Sequence, residues 1–181
     1  MVPAPPLPIT IVFFLTGIAV WANGLFFLGV GADSNNGSNP LRSVGVISVV
    51  AGIVDFIQAF YLMSSRPAPL GGAAVLLAGL VIFYAAFFTL LGVTEILGLD
   101  LRPLGNVSAA VALAPLLFWQ FFAGAWMFRS ILIFWAITFL AITATTYGKF
   151  QPKALGGILI ATAVYTFWVP AWILATGNTI P

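Results

Sequence analysis

The residue of this chain that could most readily do chemistry is a carboxylate within an apolar segment. Asp55 lies in a long hydrophobic stretch, with Gln58 about one helical turn further along. An ionisable group in such a stretch often marks a pathway for a solute or a proton. It can equally link two helices, accepting a hydrogen bond from Gln58 or from a neighbouring segment. The sequence leaves both interpretations of Asp55 open.

A second polar position is the pair Asn23-Gly24, which interrupts the first apolar stretch. A buried amide offers a donor and an acceptor at one point. It could therefore be a polar contact in a pore, or an interhelical hydrogen bond beside a closely packed glycine. These two interpretations also remain open.

The residue inventory excludes several classes of function. The chain has no cysteine and no histidine, so it has no thiolate or imidazole ligand, nucleophile or base. Asp55, Glu95 and Asp100 therefore cannot be paired with a histidine, a cysteine or a metal-binding cluster, and no chain of ionisable groups suggests a proton relay. Six basic and four acidic residues are too few for a nucleic-acid surface. We expect no enzyme, no cofactor, no metal and no nucleic-acid partner.

The elements that must position these residues are membrane-spanning helices. Hydrophobic residues make up 62% of the chain and charged residues 6%, against about a quarter charged in soluble proteins. A span needs roughly twenty apolar residues. The sequence predicts an all-α membrane protein, a single domain over residues 1–181, with a hairpin at 124–130 and the turn Gly98–Pro103 at its centre. Its six transmembrane helices are predicted at about residues 9–30, 43–63, 70–94, 106–123, 127–146 and 154–175.

Basic residues predict the orientation of these helices. With six spans, four cations fall on one side and two, Arg66 and Arg129, on the other. The first four are Arg42, Arg102, Lys149 and Lys153. Because cytoplasmic loops carry the excess of Lys and Arg, we expect the four-cation side to face the cytoplasm. Both termini then lie on the non-cytoplasmic side.

Two helical faces have the same spacing. In the first span one face contains Ile9, Phe13, Thr16, Val20 and Asn23. In the fifth span the matching face contains Phe128, Leu132, Trp135 and Phe139. Considered alone, such faces are more often packing surfaces than conduits.

Four ordered motifs give the chain a resemblance to a known family. They are Asn23-Gly24, then Gly98-Leu99-Asp100 with Arg102-Pro103, then Gly148-Lys149-Phe150 with Pro152, and finally Trp168-Val169-Pro170-Ala171-Trp172. Together they resemble the AmiS/UreI family of urea and short-chain amide channels over most of the chain. The resemblance implies a homohexameric ring in the bacterial inner membrane. Each six-helix bundle would enclose its own narrow pore.

The same resemblance implies which residues line that pore. The family's lining matches both faces described above, and a count back from Gly98 adds Ala86 and Leu90 of the third span. Thr162 replaces a glutamate of the family's last span, and with Asn23 it completes the expected lining. We expect this lining to exclude ions because nothing charged lies along it.

The resemblance implies a channel that lets urea and short-chain amides cross the lipid membrane passively. Acid-gated members use histidines of their outer loops, which this chain lacks, so acid gating is not expected. A cytoplasmic amidase or urease is a possible functional partner.

Two other functions remain open. The first is a proton-coupled permease for small carboxylates such as acetate or succinate. Residues 66–71, Arg-Pro-Ala-Pro-Leu-Gly, are similar to the Asn-Pro-Ala-Pro-Leu-Gly signature of such permeases, although here the segment precedes the third span. The second is a membrane scaffold or amide sensor that passes no solute.

Overall fold

The computed structural model describes residues 9–34, 37–67 and 70–181, and within them the regular structure is helical. The predicted motif at residues 66–71 therefore lies partly outside the described residues, at Ala68 and Pro69. The helices are α1 Ile9–Leu28, α2 Pro40–Ser65, α3 Ala73–Leu97, α4 Arg102–Leu117, α5 Trp126–Thr146 and α6 Pro152–Ala175.

Proline, glycine and asparagine set the helix ends. Pro40 is the first residue of α2, where its missing N–H costs nothing, and the Asn39 side chain accepts the Leu41 N–H at 3.0 Å. Gly98 ends α3 with φ of 66°, a left-handed conformation that glycine adopts without strain. These residues divide a nearly continuous apolar sequence into separate helices.

Five of these helices, α1, α2, α3, α5 and α6, are long and apolar enough to cross a membrane. The chain is therefore a multi-pass membrane protein. Large apolar side chains face outward from it, among them Ile57, Leu113 and Leu117. Polar groups face inward, and Ser48, Asp55 and Thr166 have no exposed surface. This distribution is the one expected for a bundle in lipid.

The fourth helix differs from its prediction at residues 106–123. It begins at Arg102, whose N–H donates to Asp100 Oδ1 at 2.9 Å, and it ends at Leu117, two residues after Pro115. Its 16 residues rise about 24 Å, less than the roughly 30 Å of a hydrocarbon core. Residues 118–124 are turns, so the hairpin lies before the predicted position at 124–130.

Small residues bring neighbouring helices into close contact. A Cβ atom at Gly92 of α3 would lie 2.7 Å from the Val49 nitrogen of α2 and against the Gly45 carbonyl oxygen. Similarly, a Cβ at Gly24 of α1 would lie 3.2 Å from the Gly156 carbonyl oxygen of α6. Both crossings therefore depend on glycine, as is common between helices in lipid.

The last helix contains a π-helical segment, Ala163–Trp168, which the sequence analysis did not anticipate. Here the Val169 N–H donates to the Val164 carbonyl, five residues back. Pro170 follows, and because it has no N–H it cannot form the next regular bond of the ladder. Such segments recur at functional sites because they shift the side chains that follow.

Candidate solute pathway

Two cavities lie along the inside of the bundle. The larger, about 280 Å³, is called here the Glu95 cavity, and the smaller, about 190 Å³, the Asp55 cavity. The Glu95 cavity reaches Leu41, Leu101 and Thr146, next to the turns of the four-cation side. The Asp55 cavity reaches residues of the opposite side, including Ile9 and Phe122. Together they extend between the two ends of the bundle.

The cavities meet at a group of rings that we call the aromatic septum, defined as Tyr84, Trp135, Phe139 and Phe167. Trp135 and Phe167 line both cavities, and their rings stack with centroids 5.5 Å apart. Tyr84 meets Trp135 edge-on at 4.8 Å and stacks on Phe139 at 5.6 Å. Flat aromatic faces therefore separate the two cavities.

The π-helical segment positions this septum. Phe167 belongs to it, and so does Thr166, whose hydroxyl accepts the Trp135 indole N–H at 2.8 Å. Thr166 Oγ1 in turn donates to the Thr162 carbonyl at 2.7 Å. The Trp135 ring is thus fixed both by its stacking partner and by the hydrogen bond of its only polar atom. Sequence reasoning missed Thr166 and Phe167 because no local pattern marks a π-helix.

In the Asp55 cavity the carboxyl group is bound by α1. Thr16 Oγ1 lies 2.9 Å and 3.2 Å from the two oxygens of Asp55, to which it donates. Of the two interpretations of Asp55, the interhelical link is therefore present, with Thr16 rather than Gln58 as donor. Among the described residues, two buried side-chain atoms have no partner, Gln58 Nε2 and Tyr84 OH.

In the Glu95 cavity a chain of polar groups crosses three helices. Asn23 Nδ2 of α1 donates to the Ala19 carbonyl and to Ser48 Oγ of α2, both at 3.0 Å. Ser48 Oγ lies 3.4 Å from Glu95 Oε2 of α3. Asn23 therefore makes an interhelical hydrogen bond while it also lines a cavity. Both interpretations of Asn23 have a basis in this geometry.

Glu95 was not among the predicted lining residues, because the third span was predicted to end at residue 94. Helix α3 continues to Leu97, so Glu95 is helical and only 2% exposed. Its spacing from Tyr84, Phe88 and Leu91, which also line the cavities, is that of one helical face and was the signal available in the sequence. Two ionisable side chains that the predicted lining did not include, Glu95 and Asp55, each line a cavity.

Ten of the twelve predicted lining residues line one of the cavities. Those of the Asp55 cavity are Ile9, Phe13, Thr16, Phe128, Leu132 and Trp135. Those of the Glu95 cavity are Val20, Asn23, Trp135, Phe139 and Thr162.

The two exceptions, Ala86 and Leu90, line neither cavity, and Leu90 is 47% exposed. On α3 the cavity side is formed instead by Tyr84, Phe87, Phe88 and Leu91. Because each residue turns a helix by about 100°, an error of one or two positions moves a side chain to another face. Ala86 and Leu90, predicted by counting back from Gly98, therefore lie away from the cavity side of α3.

Neither cavity resembles a catalytic or metal centre. Within residues 9–34, 37–67 and 70–181 there is no group of three or more His, Cys, Asp or Glu side chains that could hold a metal ion. The walls are mostly aromatic and aliphatic, with separate polar groups. What this arrangement can do is admit a small solute and offer it a few hydrogen bonds.

Comparisons with known proteins agree with this architecture. The family model described as AmiS/UreI family transporter matches residues 9–178. A cryo-EM structure of the Helicobacter pylori urea channel in a closed state superposes with a TM-score of 0.80 at 16% identity, covering 93% of this chain and 98% of that one. The crystal structure of the H. pylori urea channel gives 0.73 at 16% identity, covering 91% and 96%. A comparison with curated protein sequences found no significant match.

Proposed function

Because the chain belongs to the AmiS/UreI family of transporters, we propose that it is a passive channel for urea and short-chain aliphatic amides. The observation that carries the proposal is the aromatic septum between two cavities that extend to opposite ends of the bundle. The fold it shares with the H. pylori urea channel supports the same function.

The septum suits a flat neutral solute. Urea and acetamide are small and planar, but crossing hydrocarbon costs them several kcal/mol because their polar atoms lose hydrogen bonds to water. The rings of Trp135, Phe167 and Tyr84 are in contact, with centroids 4.8 Å and 5.5 Å apart, so they must move apart before an amide can pass along their flat faces. Polar groups on either side, such as Thr16 and Asn23, partly replace water.

Selection against ions then depends on the septum. The two carboxyl groups lie in the cavities, where Thr16 and Ser48 hold them, and the four rings of the septum carry no charge. A hydrated ion would have to lose its water there with no charged group to compensate. Neutral solutes of the same size lose much less hydration free energy at the septum.

The wider arrangement follows the family resemblance. We propose six membrane crossings in a single domain, with α4 and the turns of residues 118–124 together forming the fourth crossing. The protein would form a homohexamer of the bacterial inner membrane, with the Glu95 cavity opening to the cytoplasm and both termini on the other side. A cytoplasmic amidase or urease would consume the solute. Without histidine, the channel would lack imidazole-based acid gating.

Uptake of radiolabelled acetamide and acetate into sealed vesicles tests the transport mode. We expect acetamide entry that an uncoupler leaves unchanged, because a passive channel uses no proton gradient. The carboxylate permease would instead show acetate entry that the uncoupler abolishes and that Arg66→Gln reduces. Arg66 is exposed and lines neither cavity, so Arg66→Gln should not alter passive amide entry. A protein that passes neither solute would be a scaffold or sensor.

A further inference from the structure

The Glu95 cavity contains hydrogen-bond acceptors that no protein donor occupies. The Ser48 hydroxyl lies 3.2 Å from the Val44 carbonyl oxygen and 3.4 Å from Glu95 Oε2 and shares its one hydrogen between them. Among the described residues no hydrogen bond reaches Glu95 Oε1. Asn23 uses its NH₂ group twice, since the Ala19 carbonyl can only accept, and its Oδ1 atom has no partner in the same residues. The fully buried side-chain atoms without a hydrogen-bond partner in that part of the chain are Gln58 Nε2 and Tyr84 OH, and neither of the two oxygens is among them. Both are therefore accessible from the cavity that their side chains line.

The same cavity offers almost no free donor. Its four threonines are Thr138, Thr145, Thr146 and Thr162. Each hydroxyl lies 2.7–2.8 Å from a carbonyl oxygen of its own helix. The Thr138 and Thr162 hydroxyl oxygens are also 2.8 Å apart, so one of these two donates to the other and the remaining three donate to the backbone. Their hydrogen atoms are thus engaged within the protein, and lone pairs are what remain for a solute.

A cavity in which free acceptors outnumber free donors favours solutes that carry N–H groups. Urea and primary amides carry N–H donors at the edge of a planar molecule, whereas carboxylates and ethers carry acceptors only. We propose that Glu95 is a specificity-determining residue of the channel, with Oε1 accepting an N–H of the permeating solute and Asn23 Oδ1 accepting a second. This inference rests on the proposed function and adds a solute contact to it.

The position of Glu95 is set by its neighbours. Ser48 holds one carboxyl oxygen, and the Glu95 Cβ would lie 2.9 Å from a Cβ at Gly45, so α2 fits closely against this residue. Only 2% of Glu95 is exposed, which leaves the cavity as the route by which a donor reaches it. A buried acceptor without a donor is unfavourable, and an amide N–H that enters the cavity relieves this cost.

Three isomeric amides separate this contact from pore size. Propionamide has two N–H groups, N-methylacetamide one and N,N-dimethylformamide none, while their atoms and mass are the same. Entry is measured by stopped-flow light scattering on proteoliposomes, after subtraction of protein-free vesicles. For the wild type we expect permeability to fall with each N–H removed, by about tenfold over the series, the order of one hydrogen bond to a carboxylate.

Glu95→Leu should flatten this series, because it removes the acceptor at nearly the same volume. Glu95→Gln is the alternative if Glu95→Leu does not fold. It keeps a carbonyl oxygen that Ser48 can reach but replaces the other oxygen with an NH₂ group, so it should also weaken the N–H preference. Asp33→Asn removes an exposed loop carboxylate and is the charge-matched control, with the wild-type series expected. Ser48→Ala removes the hydroxyl that contacts Glu95 Oε2 and links it to Asn23, but it leaves Oε1 and the close fit of α2 against Glu95, so part of the preference should remain.

The possible failures are distinguishable. A wild-type series without N–H preference, in a protein that passes all three isomers, overturns the role of Glu95 and leaves the channel intact. Equal flattening by Ser48→Ala and Glu95→Leu would show that Glu95 acts only as a link between helices. A wild type that passes no urea and none of the isomers overturns the proposed function itself.

Discussion

The hydrogen bond between Thr16 and Asp55 links α1 to α2 beside the Asp55 cavity. The carboxyl group has no exposed surface, and Thr16, itself 1% exposed, supplies its donor. Hydrogen bonds between membrane helices are worth about 0.6 kcal/mol on average. Removing the donor of a buried polar group costs more than this, about 1–3 kcal/mol. The pair should therefore matter most when one member is removed alone.

Thr16→Val should lower the free energy of unfolding by about 1–3 kcal/mol, since it keeps the shape of the side chain and removes the donor to Asp55. Unfolding in mixed detergent micelles measures the change. Thr16→Ser, which retains the hydroxyl, is the matched control and should lose less. If Thr16→Val is as stable as the wild type, the hydrogen bond does not hold the carboxyl group in the folded protein.

The sequence predicted α3 as a membrane span but did not predict which side of it faces the cavities. Counting back from Gly98 gave Ala86 and Leu90 as pore-lining residues, whereas the α3 residues that line the two cavities include Tyr84 and Leu91. The periodic spacing of aromatic residues within the helix would have given the correct face. Its end was also misjudged, because Gly98 stops the helix only after Glu95 has become part of it.

Close packing of α3 on α2 predicts unequal effects at two glycines of α3. Gly92→Ala places a methyl group against the Gly45 carbonyl oxygen and the Val49 nitrogen, and should cost about 1–3 kcal/mol or more. Gly79→Ala is the control, since a Cβ there meets nothing within 4 Å. Thermal unfolding in detergent should separate the two variants clearly. Equal melting temperatures would contradict the observed contact between α2 and α3.

The turn between α3 and α4 predicts a dependence on acid. Hydrogen bonds from the Arg102 side chain and backbone lower the pKa of the exposed Asp100 carboxyl to about 2. A lowered pKa contributes stability above the ordinary value of 3.8, and this contribution is lost as the pH falls toward about 2. Asp100→Asn should therefore melt slightly below the wild type at neutral pH and converge with it in acid. The effect is small because solvent screens the pair, and a constant difference would contradict it.

For the molecule as a whole, composition and spacing predicted more of the fold than of the site. Apolar length predicted the helices, and the spacing of α1 and α5 residues predicted side chains that line the cavities. The short α4 was missed because its apolar sequence continues through Phe118 and Trp119 into turns. The π-helical segment with Thr166 and Phe167 was missed because it depends on contacts with Trp135, which are distant in sequence.

Stopped-flow light scattering on proteoliposomes measures whether neutral amides pass through the aromatic septum without a proton gradient. Urea, acetamide and acetate entry would be compared at neutral and mildly acidic pH for the wild type and Trp135→Ala, with protein-free vesicles as the baseline. We expect rapid urea and acetamide entry at both pH values. Trp135→Ala should admit bulkier amides, because it removes a ring that lines both cavities. Acetate entry that needs a proton gradient, without amide entry, would show that the protein is a carboxylate permease and not a passive amide channel.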